Sequence, residues 1–224
     1  MRLLLLLNLT LLYTTTATLP GPEPLKQLID KDLPYLLEFY KKLHQNPELS
    51  LQEEETARSL AAELRKVGFE VTEQFGGHGI VGVLRNGEGP TLLYRTDMDA
   101  LPMPEKTGLE YASEKRVPYN GQEVGAMHSC GHDMHMTTWL GTARALVEMK
   151  DRWSGTLISI GQPAEEIGVG ARRMLEDGLY EKFGTPDYGL ALHCSPTIPA
   201  GQVGFGKGYT MANAEMIDII VKGV

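Results

Sequence analysis

The sequence predicts an α/β fold, and three observations carry that expectation. Short β-branched runs alternate with amphipathic helical stretches. One run, Thr156-Leu157-Ile158-Ser159-Ile160, is almost continuously apolar, as in strands buried on both faces. Three of the runs lead within a few residues into carboxylates or histidine, the position where ligands gather in α/β sheets.

In chain order, Arg2 precedes an apolar run from Leu3 to Leu12, broken only by Asn8 and Thr10, and Thr14-Thr15-Thr16-Ala17-Thr18 follows. A charged start, a short apolar stretch and a small-residue exit form a secretory signal peptide, assigned to residues 1–18. The run falls short of the roughly 20 residues of a membrane span, so a secreted or periplasmic protein without stable membrane insertion is expected. Leu25 to Gln45 reads as a helix with Leu33, Leu36, Leu37, Tyr40 and Leu43 on one face, ended by Asn46-Pro47. Ser50-Leu51-Gln52-Glu53 has the form of a capping box. It opens a helix through Ala57, Leu60, Ala61 and Leu64 to Gly68. The acidic run Glu53-Glu54-Glu55 is expected to complement that helix dipole.

Phe69–Thr72, Gly79–Leu84 and Thr91–Tyr94 read as strands, with a flexible turn at Gly76-Gly77-His78 and a solvated His78. The third strand leads into Asp97 and Asp99. Their i, i+2 spacing on extended backbone points both the same way, towards a metal, a neighbouring imidazole or solvent. Residues 103–126, rich in Pro, Gly and charge, are expected to be a long loop. Thr137 to Met149 is an amphipathic helix. The apolar strand at 156–160 ends in Gly161-Gln162-Pro163-Ala164-Glu165-Glu166; a short helix spans Gly170 to Leu179; and Asp187–Leu192 is a strand that delivers His193.

Composition excludes some classes. The net charge of −8 argues against nucleic acid, whose binding calls for a basic face. Two cysteines in an exported chain would most simply form a disulfide. Their surroundings favour another role, because three of the six histidines and Cys130 fall within His128–His135. Thiolate and imidazole at that density suit a divalent ion such as zinc. Cys194 is expected to be a small buried neighbour of the site. Neighbouring side chains on extended backbone point in opposite directions, so within Glu165-Glu166 one carboxylate is placed to ligate and the other to act as a base. Such a site would hydrolyse an amide by metal-activated water with carboxylate assistance. Ser129 and Ser195 lack the turn of a serine nucleophile.

Four segments together are specific: Arg95-Thr96-Asp97-Met98-Asp99-Ala100-Leu101-Pro102, Met127–His135, Gln162-Pro163-Ala164-Glu165-Glu166 and Leu192-His193. In order and spacing the chain resembles the metal-dependent amidohydrolases that include hippurate hydrolases, plant auxin-conjugate hydrolases and N-acetyldiaminopimelate deacetylases. The resemblance implies a zinc-peptidase-like, three-layer α/β/α catalytic domain with two divalent metal ions, zinc or manganese foremost and cobalt or nickel as alternatives. It implies Cys130 as the bridging ligand, His132, Glu166 and His193 as further ligands, Glu165 as general base, and Asp99 as the orienting carboxylate. It implies a supporting place for His135. It further implies an N-acyl amino acid or short peptide as substrate, and a homodimer for a full-length form.

Members of that family run to roughly 400 residues by the same resemblance. The catalytic part is therefore expected at 19–210, residues 211–224 are expected to begin an inserted lid or dimerisation domain, and the chain is expected to be a fragment with little activity alone. A metal-dependent exopeptidase, or a metal-binding or peptide-binding non-enzyme, are the competing expectations.

Overall fold

The computed structural model describes residues 22–208, 217 and 219–223. The leader expected at 1–18 lies outside them. The chain divides after Cys194 into two units. Among the described residues, the α-helices and strands all belong to the first: α1 (Pro22–Gln45), α2 (Glu54–Lys66), β1 (Glu70–Thr72), β2 (Ile80–Asn86), β3 (Thr91–Asp97), β4 (Arg116–Tyr119), β5 (Gln122–Gly125), α3 (His132–Glu148), β6 (Gly155–Gln162), α4 (Gly170–Glu176), α5 (Leu179–Phe183) and β7 (Tyr188–Ala191). In the second unit the start of an inserted domain expected over 211–224 falls partly outside the described residues, and Ile217 and residues 219–223 lie in no strand. No described helix is long and apolar enough to cross a membrane.

Five strands form one sheet in the order β1-β2-β6-β3-β7. β2 runs antiparallel to β1 and β6, whereas β6, β3 and β7 are mutually parallel neighbours. Side-chain alternation along the strands sorts the core into two layers. Ile80 and Leu84, Tyr94 and Leu157 pack with Phe39, Leu60, Leu64, Met136 and Trp139 of α1, α2 and α3. Val81, Val83, Ile158 and Ile160 pack with Met174 of α4 and Leu179 of α5 on the opposite face. The expected α/β/α layering is thus present around a mixed sheet. Close approach of α2 to β2 depends on Gly82, where an added Cβ would meet Leu64 Cδ1 at 2.4 Å.

Several local expectations need correction. The single loop expected over 103–126 contains a hairpin, β4–β5, closed by Asn120-Gly121 with φ of 49° and 75°. Two positive φ angles in succession are what a tight hairpin turn with the sheet's twist demands. The third helix starts at His132 instead of Thr137, because Gly131, at φ 80°, supplies the left-handed entry to it. The helix expected from Gly170 to Leu179 breaks into α4 and α5 at Gly178, φ 85°. The apolar stripe expected on α1 is only partly covered: Leu43 is buried, but Leu33 and Leu37 remain exposed, and Phe39, outside the expected stripe, is buried instead.

The capping box does not form. Helix α2 begins at Glu54, and neither Ser50 nor Glu53 caps it with its side chain. Glu54 and Glu55 sit in the first turn as expected, each paired with Arg58. Glu53 instead is fully buried and turned towards the end of β6.

Candidate metal centre

Because β6, β3 and β7 are parallel neighbours, their carboxyl ends open on one edge of the sheet. That edge receives Asp97 and Asp99 from the end of β3, Glu165 and Glu166 from beyond β6, and His193 from beyond β7. Helix α3 arrives at the same edge with its first turn, carrying His132 and His135. The spacings match: alternate residues of an extended segment and i, i+3 residues of a helix are separated by similar distances, roughly 5–7 Å. Two carboxylates therefore face two imidazoles. Asp97 Oδ1 lies 2.7 Å from His135 Nδ1, and Asp99 Oδ1 lies 3.3 Å from His132 Nδ1.

The two histidines differ in what remains free. His135 is engaged at both nitrogens, since Nε2 accepts from the backbone N–H of Cys194 at 2.8 Å. His132 is fully buried, and its Nε2 is surrounded at 3.6–3.8 Å by Asp97, Glu166 and Glu165 carboxylate oxygens. Cys130, His132 and Glu166 each present a donor atom within 4.8 Å of the others, as do Asp99, His132 and Glu165, and as do Asp97, His132, His135 and His193. Cys130 Sγ lies 3.4 Å from His193 Nε2. Every residue assigned to the site from sequence is thus in one constellation. His78 is in none of these groups.

Protein groups compensate the charge of the site only in part, with Arg95 and His135 paired to Asp97. Burial and the neighbouring Glu166 and Glu165 carboxylates push the Cys130 thiol up to about 12. Burial raises Glu166 as well, assisted by Glu165 and Asp99 and opposed by His132. Asp97 is held at about 2: burial acts upwards, but the His135 hydrogen bond and the charges of His132 and Arg95 outweigh it. His132 is raised, since its carboxylate neighbours, Asp99 first, overcome the effect of burial.

A divalent cation fits this environment. Neither ring nitrogen of His132 completes a hydrogen bond with the described residues, nor do Asp99 Oδ1 and Glu166 Oε1. Buried polar atoms are rarely left so. These orphans converge beside a thiol, and thiolate, imidazole and carboxylate together are the donor set of a borderline-soft metal.

Several supporting residues carry no obvious sequence signal. Ser50 donates to Asp99 Oδ2 at 2.6 Å, and Glu53 Oε1 accepts from the Ala164 N–H at 2.6 Å. The S-x-x-E spacing that resembles a cap is used for these two contacts instead. Arg95 bridges Asp97 and Gln162, tying the ends of β3 and β6 together. Behind α3, His44 lies between Asp133 (2.6 Å) and Glu105 (3.0 Å). Cys194 adjoins the site, with Sγ 3.0 Å from His135 Nε2. It is exposed rather than buried, because both faces of β7 are uncovered by the described residues. Neither cysteine is in a disulfide.

The pattern of Peptidase family M20/M25/M40 matches residues 93–220. The chain is 42% identical over 201 residues to a probable hydrolase of Synechocystis, covering 89% of this chain and 48% of the relative. It is 40% identical over 183 residues to the hippurate hydrolase of Campylobacter jejuni, covering 81% and 45%. A Bacillus subtilis structure described as a dinuclear metal binding peptidase from family M20 superposes with a TM-score of 0.65 at 34% identity, over 78% of this chain and 45% of that one. The chain spans about half the length of the curated relatives it matches. With the matched segment extending from β3 past the end of β7 and so containing every strand end of the site, the chain belongs to Peptidase family M20/M25/M40.

Proposed function

We propose that the chain carries the metal centre of a hydrolase that cleaves the amide bond of N-acyl amino acids. The observation that carries this reading is the buried His132 ring, orphaned at both nitrogens and enclosed by Cys130, Glu165, Glu166, Asp97 and Asp99. Cys130, His132, Glu166 and His193 would hold two divalent ions. Such ions supply an acidified water near neutral pH and polarise the scissile carbonyl.

The chain's own residues do the rest. Asp99, fixed by Ser50 and by the Glu166 N–H, sets its Oδ1 3.3 Å from His132 Nδ1, short of a completed hydrogen bond, and so favours the tautomer protonated there, with Nε2 turned towards the carboxylates. Asp97 accepts from His135 Nδ1, whose Nε2 is taken by the Cys194 N–H. Glu165 is the more exposed of the glutamate pair. That placement suits a general base, which takes the proton of the attacking water and returns it to the leaving amine. The name of the hippurate hydrolase relative supports an N-acyl amino acid as the substrate class. The leader-like N-terminus supports an exported protein, to be checked by N-terminal sequencing of the mature form.

The test is the Glu165→Gln variant of the full chain, assayed for bound metal and for hydrolysis of benzoylglycine and of a dipeptide. Metal retained with hydrolysis reduced about 10²- to 10⁴-fold is expected for loss of a general base. Loss of metal in this variant contradicts the assignment of roles within the pair. Faster cleavage of the dipeptide than of benzoylglycine moves the substrate class to peptides.

A further inference from the structure

Ala164, the residue that leads into Glu165-Glu166, has φ of 46° and is completely buried. This left-handed conformation is disfavoured for any residue with a Cβ and persists only where its surroundings over-determine it. Two sets of contacts do so here. On one side the Ala164 carbonyl accepts from the backbone N–H groups of Val169 and Gly170, both at 3.2 Å. Gly170 is pressed so close that an added Cβ would sit 1.6 Å from the Pro163 carbonyl oxygen. On the other side the Ala164 N–H donates to Glu53 Oε1 at 2.6 Å, a contact spanning 111 residues of sequence.

Glu53 is an unusual group to find there. It is a carboxylate without exposure, its second oxygen has no partner among the described residues, and it does not cap the helix it precedes. Burying such a side chain is unfavourable unless its hydrogen bond is needed. The backbone that it holds turns the chain from the end of β6 so that Glu165 and Glu166 both reach the His132 ring, at 3.8 and 3.7 Å.

We propose that Glu53 is a positioning residue: by holding the Ala164 N–H it locks the left-handed turn that aims the Glu165-Glu166 pair. The proposal rests on the roles given to that pair above. Only an acceptor oxygen is required, so glutamine replaces Glu53 and methionine, of similar length, does not.

The experiment compares the full chain with Glu53→Gln and Glu53→Met. For Glu53→Met, zinc affinity by chelator competition and turnover of benzoylglycine each fall about 10- to 100-fold, as for other groups that orient metal ligands. KM stays unchanged, and Glu53→Gln restores both. Amide exchange of the unsubstituted chain gives a readout that needs neither a variant nor activity, because the Ala164 N–H is slow to exchange if Glu53 holds it. Exchange of that amide at the rate of an open loop overturns the proposal. So does full zinc affinity in Glu53→Met, or a loss in Glu53→Gln as large as in Glu53→Met. If the unsubstituted chain binds zinc but hydrolyses nothing, the functional reading fails, while zinc affinity and exchange still decide the role of Glu53.

Discussion

Replacing Asp99 with asparagine isolates the part played by a single proton. Asp99 Oδ2 already receives two donors, the Ser50 hydroxyl at 2.6 Å and the Glu166 N–H at 3.0 Å. Only the carbonyl oxygen of an asparagine can satisfy both, so its NH₂ must turn towards His132 Nδ1, 3.3 Å from the present Oδ1. A donor at that place favours an unprotonated Nδ1 and moves the imidazole proton to Nε2. That nitrogen is the one facing Glu165, Glu166 and Asp97, and it cannot bind a metal while protonated. Disturbing the partner of a metal-binding imidazole costs about 10- to 100-fold in affinity, equivalent to ~1.4–2.8 kcal/mol. The fold is retained, because Ser50 and Glu166 keep their acceptor. Chelator competition with zinc measures the affinity, and long-range ¹⁵N–¹H spectra of the metal-free protein identify the tautomer. Unchanged affinity together with an Nδ1-protonated ring in Asp99→Asn would refute this reasoning.

Other outcomes follow from the same geometry. Trp139 is fully buried and its Nε1–H donates to the Tyr94 carbonyl. Trp139→Phe removes that bond and opens a small void, so it should destabilise the chain by about 2–3 kcal/mol in urea unfolding; a loss near zero would show that α3 is anchored elsewhere. Burial opposes protonation of His44, yet its hydrogen bonds to Glu105 and Asp133 prevail and raise its pKa. The stabilisation it provides is therefore complete below the unfolded value of about 6.5 and fades as pH rises through the higher folded value. His44→Gln should accordingly cost roughly 2 kcal/mol at pH 6 and less at pH 9; an equal cost at both would contradict a charged His44. Removing bound zinc with a chelator should lower the melting temperature in proportion to RT ln(1 + [L]/Kd), about 2.7 kcal/mol at a hundredfold excess over Kd; no shift would mean that the site is not part of the folded state's stability.

The α/β architecture was legible because its strands obey simple rules. Thr156–Ile160 is apolar on both faces, and it lies at the centre of the sheet with helices on either side. The site was legible for a related reason: parallel strands deliver their carboxyl ends to one edge, so Asp97, Asp99, Glu165, Glu166 and His193 had to meet once β6, β3 and β7 were neighbours. What sequence concealed was pairing at long range. Ser50 and Glu53 occupy a spacing that elsewhere caps a helix, and nothing local shows that their partners lie 49 and 111 residues away. The start of α3 is not legible in the sequence, because its entry depends on one left-handed glycine, Gly131, within a segment whose histidines carry no helical periodicity. The β4–β5 hairpin was hidden by short strands that are mostly exposed, although Asn120-Gly121 marks its turn.

Cobalt substitution tests the metal centre most directly. Loaded with Co²⁺, the full chain should show a thiolate-to-cobalt charge-transfer band in the near ultraviolet, because Cys130 shares its site with His132 and Glu166. Cys130→Ser should abolish that band, while Cys194→Ser should leave it in place. A cobalt-loaded chain without the band, or one that keeps it in Cys130→Ser, would contradict the assignment of Cys130 as a ligand and with it the proposed centre.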